Sequence, residues 1–233
     1  MLPVAILAGG LAQRLRPVTS TIPKILIDIN GRPFGEHQLD WLQSQGVTRV
    51  VYCLGYLGDQ VVAALGDGSR WGMRFDFVMD GPKLLGTGGA LRQALPQLGA
   101  TFFVLYGDSL LTCNLAEVER AYRERGRPSL MTVYPNANQW DTSNVLFRDD
   151  EIVVYDKKQR LPEMRHIDYG LGVLTADTLE RYQPDTILDL ETVYQDELRL
   201  GRLTGVEVAT RFYEIGSVAG IEETRRYLAE RSS

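Results

Sequence analysis

Two cations and a pair of glycines give this chain its first chemistry. Gly9 and Gly10 close an apolar run at positions 4–8, and Arg14 and Lys24 follow shortly after. A glycine turn directly after a buried strand exposes backbone N–H groups with no side chain in the way, which suits a phosphate chain. A guanidinium and an ammonium on the same loop can grip phosphate oxygens and neutralise charge that develops in phosphoryl transfer. The plainer alternative is a strand-to-helix turn with solvated cations. A second apolar run, 102–106, ends in Gly107-Asp108. A carboxylate at the C-terminal tip of a parallel strand can meet a metal-bridged phosphate, or it can serve as a turn or cap residue. The first loop is not a Walker A loop, which ends in Gly-Lys-Ser/Thr, and it does not meet the Gly-x-Gly-x-x-Gly dinucleotide pattern.

Such groups need a scaffold that gathers strand ends, and the hydrophobic pattern supplies one. The runs 4–8, 50–54 and 102–106 are apolar on both faces, as strands of a buried parallel sheet are. Helical periodicity covers 33–46, 59–65 (with Asp59 as an acidic N-cap and Gly66 as the stop), 90–98 and 115–125, while 75–79 alternates like an edge strand. Alternating strands and helices predict an α/β fold: a Rossmann-like, mostly parallel sheet with helices on both faces, built from right-handed βαβ units. Ligands on such sheets bind beyond the carboxyl ends of strands, here in the loops after Leu7, Leu54 and Tyr106. After Ser129 the rhythm changes. Short strand-like runs at 130–134, 145–147, 152–155 and 170–174 predict an antiparallel excursion that carries one side of a pocket, followed by helices at 190–200 and 221–231. With no linker, low-complexity tract or repeat, residues 1–233 read as a single domain.

Composition narrows the partners. The chain has 233 residues, and 25 Lys and Arg against 30 Asp and Glu leave a net charge of −5, with a pI near 5.2. An acidic chain is a poor nucleic-acid binder, because that affinity rests on neutralising phosphates. Hydrophobic residues at 44% and charged ones at 24% exclude disorder as the main state. Cys53 and Cys113 lie in apolar, strand-like surroundings and form no disulfide framework, and two His with two Cys give no zinc signature. The N-terminus lacks a basic n-region, and its apolar run is far short of a membrane span. A soluble, reducing, cytoplasmic setting with neither nucleic acid nor membrane as a partner is expected.

The stretch Leu7-Ala8-Gly9-Gly10-Leu11-Ala12-Gln13-Arg14-Leu15-Arg16-Pro17, with Thr19 and Pro23-Lys24 downstream, resembles the signature of the sugar-1-phosphate nucleotidyltransferases. The resemblance runs over nearly the whole chain. It is also carried by Gly86-Thr87-Gly88-Gly89-Ala90 and Tyr106-Gly107-Asp108, and it is looser beyond Ser129. Within the family, Ile29-Asn30-Gly31-Arg32-Pro33-Phe34 together with 85–90 looks most like heptose- and mannose-1-phosphate guanylyltransferases.

The resemblance implies a nucleotide-diphospho-sugar transferase fold, with a nucleotide-binding part at about 1–128 and the antiparallel, sugar-binding part at about 129–233. The implied reaction moves a nucleoside monophosphate from an NTP, GTP first among them, to a sugar 1-phosphate and releases pyrophosphate. Uridylyl, thymidylyl or cytidylyl transfer and a weakened regulatory homologue are the alternatives. A nicotinamide oxidoreductase is disfavoured by the glycine pattern and by the two cations. The resemblance assigns Arg14 and Lys24 to catalysis and Leu7, Ala8, Gly9, Gly10, Leu11 and Gln13 to the nucleotide phosphates. Gly86, Thr87 and Gly88 would lie against the base, with Asp80 at its hydrogen-bonding edge. Asp108 and Glu214 would hold Mg²⁺, while Lys157, Asn144, Asp168 and Gly170 would receive the sugar phosphate. Ala12, Gln13, Ile25, Lys158 and Glu214 depart from the usual Gly, Thr or Ser, Pro, Pro and Asp. Ile25 is expected to remove rigidity after Lys24 without removing the cation. The hexapeptide β-helix of longer relatives, and with it acyltransferase activity, is not expected. Small folds of this kind often pair, so a homodimer stands as an option.

Overall fold

The strands alternate their side chains between two cores, and that alternation sets the layering. The computed structural model describes residues 1–10, 15 and 18–231. In chain order its strands are β1 (Val4–Leu7), β2 (Asp28–Ile29), β3 (Arg32–Pro33), β4 (Arg49–Leu54), β5 (Arg74–Met79), β6 (Thr101–Tyr106), β7 (Ser109–Leu110), β8 (Ser129–Pro135), β9 (Val145–Arg148), β10 (Glu151–Tyr155), β11 (His166–Thr175), β12 (Leu203–Glu207) and β13 (Tyr213–Glu214). The helices are α1 (Phe34–Ser44), α2 (Gly58–Leu65), α3 (Gly86–Leu98), α4 (Leu115–Arg125), α5 (Ala176–Glu180), α6 (Leu190–Arg199) and α7 (Val218–Arg231).

Among the described residues one sheet of nine strands runs β10-β9-β11-β6-β1-β4-β5, with β8 on β11 and β12 on β8. The β6-β1-β4-β5 part is parallel, with β5 at the edge. Val4, Ile6, Val50, Tyr52, Phe103 and Leu105 bury one face against α1, α2 and α4. Ala5, Val51, Cys53, Phe102 and Val104 bury the other against α3, α5 and α6. Helices on both faces explain why these strands read as continuous apolar runs.

β11 turns the sheet antiparallel, pairing with both β6 and β8 and meeting β9 at its start. The expected excursion is therefore present, with one addition: β12 runs parallel to β8. Several element ends differ from the sequence reading. Helix α3 starts at Gly86 rather than Ala90, β11 at His166 rather than Gly170 and α7 at Val218 rather than Ile221, and the residue capping α2 is Leu57, with Asp59 inside its first turn. Both cysteines are free and buried. No helix of the described residues is long and apolar enough to cross a membrane.

Candidate active site

β1, β4 and β6 end side by side, and glycines let the chain cross from one to the next at close range. A Cβ on Gly9 would stand 2.9 Å from the Gly55 nitrogen, and one on Gly107 would stand 2.7 Å from the Leu7 carbonyl oxygen. The Gly107 N–H donates to that same carbonyl at 2.9 Å. A cavity of about 280 Å³ opens over these ends. Leu7, Ala8, Gly9 and Gly10 form its floor on one side, and Tyr106, Gly107 and Asp108 on another. Leu11, Gln13 and Arg14 lie outside the described residues.

Lys24 reaches this floor from a 3₁₀ turn, Lys24–Leu26, that starts at Pro23. Its Nζ stands 2.8 Å from Asp108 Oδ2, and both side chains stay partly exposed to the cavity. Ile25 follows Lys24 in the same turn. That side chain is buried and packs against Gly35, where a Cβ would come within 2.9 Å of it. An ammonium paired to a carboxylate beside a glycine turn is a charge arrangement that a bound phosphate can enter by exchanging partners.

The opposite wall is built by Asp80, Gly86 and Thr87 with Leu84, Cys53 and Asp189. Burial pushes the Asp80 carboxyl above its ordinary value, partly offset by the Leu85 N–H it accepts at 3.1 Å. Cys53 is no nucleophile, since burial and then the Asp80 charge push its thiol up to about 12. The glycine run has a packing reason of its own. A Cβ on Gly89 would lie 2.6 Å from the Thr186 carbonyl and one on Gly88 2.8 Å from Leu188, whose carbonyl accepts both glycine N–H groups. Gly88 thus faces residue 188, while Gly86 and Thr87 also line the cavity. The Thr87 hydroxyl accepts the Leu190 N–H at 2.8 Å and so caps α6 from outside.

A second polar cluster sits where β11 bulges between Asp168 and Gly172. Lys157 Nζ lies 3.4 Å from Asp168 Oδ2, a carboxylate that is almost fully buried. The Tyr155 hydroxyl donates to the same oxygen at 3.1 Å, and the Asp168 N–H donates to Asn144 Oδ1 at 2.9 Å. Gly170, at φ +93°, turns its N–H onto Asp168 Oδ1. The four residues expected at the sugar phosphate therefore gather in one place. Tyr106 joins the two clusters: it lines the cavity, and its phenol oxygen is 3.5 Å from Lys157 Nζ. Burial, followed by the charges of Asp168, Asp108 and Glu191, holds that phenol far above its usual range, so it stays a neutral donor.

Glu214 pairs with Ser109 in the short β13-β7 ladder, and the next N–H, of Ile215, donates to the Asp108 carbonyl at 3.0 Å. The backbones of the two acidic residues are neighbours. The Glu214 carboxylate accepts from the Gly216 N–H at 2.7 Å and the Ser217 hydroxyl at 3.3 Å, at the turn into α7. Three participants escaped sequence reasoning. Asp189 precedes α6 yet makes no side-chain capping bond and lines the cavity instead. Glu191 Oε1 accepts the Lys157 N–H at 2.8 Å. Gln38, wholly buried on α1, donates to the carbonyls on either side of Gly107-Asp108. The first two stand at the start of a predicted helix, where a capping motif was the available signal; Gln38 had none.

A glycine turn with a lysine–carboxylate pair, joined through one tyrosine to a second lysine–carboxylate cluster, defines a phosphate-handling transferase on an α/β sheet. The chain belongs to the nucleotidyl transferase family, which its residues 4–143 match. It is similar to an N-acetylmuramate alpha-1-phosphate uridylyltransferase of Neisseria meningitidis serogroup B, at 27% identity over 94% of this chain and 95% of that protein. It is similar also to mannose-1-phosphate guanyltransferase beta-A of Xenopus laevis, at 25% identity over 91% of this chain but only 60% of the longer relative. The crystal structure of HddC from Yersinia pseudotuberculosis complexed with GMP-PN shares the fold, with a TM-score of 0.81 at 22% identity, covering 98% of this chain and all of that one.

Proposed function

We propose that the protein transfers a nucleoside monophosphate from an NTP, GTP in the first reading, to a heptose- or mannose-type sugar 1-phosphate. The observation that carries this is the Lys24–Asp108 pair over the Gly9-Gly10 turn, linked by Tyr106 to Lys157 and Asp168. One end of that path suits a triphosphate and the other a phosphorylated, hydroxyl-rich acceptor. A sugar phosphate oxygen attacks the α-phosphorus, the bond from that phosphorus to the bridging oxygen breaks, and pyrophosphate leaves. No general base is required, because a phosphate monoester is already ionised at neutral pH. Positioning and charge neutralisation are the protein's work. The loop amides and Arg14 hold the outer phosphates, Lys24 stands at the α-phosphate, Lys157 aligns the acceptor, and Asp168 with Asn144 pairs with its hydroxyls.

The carboxylates of Asp108 and Glu214 are hard oxygen donors on adjoining backbone, a donor chemistry that fits Mg²⁺. Bound there, Mg²⁺ would supply positive charge to the phosphates and fix their orientation. Asp80 supports guanine as the base, since a carboxylate accepts from that base's N1–H and 2-amino donors. Uridylyl transfer is the second reading, supported by the likeness to the Neisseria protein along nearly all of both chains.

Pyrophosphate release with GTP, UTP, dTTP and CTP against mannose, heptose, glucose and N-acetylmuramate 1-phosphates tests this. GTP with a manno-configured acceptor is expected to be fastest. UTP with N-acetylmuramate 1-phosphate as the best pair would establish the second reading, and no release with any pair would end both.

A further inference from the structure

The Asp108 turn is held from behind by a side chain that touches neither cavity wall. Gln38 is fully buried on α1, and its Nε2 donates to the Tyr106 carbonyl at 3.1 Å and the Ser109 carbonyl at 2.8 Å. Both neighbours are carbonyl acceptors, so the nitrogen end of the amide must face them. The other end, Oε1, is buried without a hydrogen-bond partner among the described residues. The orphaned acceptor is a cost to folding, set against the two carbonyl acceptors that the amide nitrogen satisfies. What the amide does accomplish is to span Gly107-Asp108 from residue 106 to residue 109, fixing both ends of the turn at once.

Each end carries something. Tyr106 presents its phenol toward Lys157, and Ser109 is the register partner of Glu214. Between them Asp108 meets Lys24 through its side chain and Ile215 through its carbonyl. Resting on the nucleotidyl-transfer reading above, we infer that Gln38 is a positioning residue, which sets the backbone that aims the Asp108 carboxylate at a divalent cation and Tyr106 at the acceptor lysine. It contacts no substrate itself. Loss of an outer partner of this kind weakens metal affinity or activity about 10- to 100-fold.

The test compares the full-length wild type with Gln38→Met, Gln38→Glu and Asp108→Asn. The readouts are Mn²⁺ affinity by electron paramagnetic resonance, the KM for sugar phosphate, and Tm. Gln38→Met is expected to weaken Mn²⁺ binding about 10- to 100-fold and to raise the acceptor KM, with Tm falling by about 2–10 °C because two carbonyls lose their donor while the orphaned oxygen goes with it. Gln38→Glu, with at most one donor, is expected to fall between wild type and Gln38→Met, and it decides the matter if the Met variant does not fold. Wild-type Mn²⁺ affinity in both Gln38 variants, or losses that only follow Tm, would overturn the inference. Wild-type affinity in Asp108→Asn, or no Mn²⁺ binding by the wild type, would instead remove the carboxylate reading on which it rests.

Discussion

Lys24 and Asp80 stand on opposite walls of one cavity and are held by opposite physics. Lys24 is matched by a carboxylate at 2.8 Å in a partly wet site, where exchange for a phosphate oxygen is easy. Removing a preorganised cation that stabilises transition-state charge costs about 10²–10³ in kcat. Lys24→Ala is expected to lose that much turnover in a pyrophosphate-release assay with little change in Tm, and near-normal turnover would remove Lys24 from catalysis. Asp80 is unmatched by any cation among its described contacts, and burial disfavours its charged form. Its folded-state pKa lies above the unfolded value of about 3.9, so the native state binds more protons between the two values and stability falls as pH rises through that window. Asp80→Asn should therefore raise Tm near neutral pH, with the gain vanishing once the pH is below the unfolded value. Thermal melts of both proteins across pH 3 to 8 check this, and a gain that grows on acidification would contradict it.

The elements were unequally legible. The parallel strands announced themselves, since a strand covered on both faces leaves an unbroken apolar run ending in glycine, and Asp108 could be picked out by its place at such an end. β7 and β13 could not be seen: two residues each leave no periodicity, though they bring Glu214 beside Asp108. Gln38 was equally hidden, being one polar residue on an amphipathic helix whose partners are distant backbone carbonyls. The glycine run at 86–89 was visible as a signal but was given a ligand-facing role alone. Its packing against 186–189 depends on a loop a hundred positions away. That contact has a price in substitution. Gly89→Ala would push a Cβ into the Thr186 carbonyl, and overpacking against backbone costs about 1–3 kcal/mol. Thr87→Val would leave the Leu190 N–H without its cap, costing about 0.5–2 kcal/mol. Urea denaturation of both variants should show lower midpoints with unchanged slopes, and a Gly89→Ala midpoint equal to wild type would mean the α3 start is not pressed against that loop.

Across the whole molecule, the cavity is lined by parts that are distant in sequence: the ends of β1, β4 and β6, the starts of α3 and α6, and the Lys24 turn. A ligand that binds this folded site and not the unfolded chain must appear as global stability. At a free concentration of 100 times Kd the gain is about 2.7 kcal/mol, which for a chain of this size is a Tm rise of roughly 5–10 °C. Saturating NTP with Mg²⁺ is expected to produce that rise in wild type, and Lys24→Ala is expected to keep only a fraction of it at the same concentration. A sugar 1-phosphate at the same multiple of its own Kd is expected to give the same gain, and to keep it in Lys24→Ala, because it would engage the Lys157 cluster beyond Tyr106. A Lys24→Ala protein that keeps the whole NTP shift at that concentration would mean that the cavity over Gly9-Gly10 is not where the triphosphate binds.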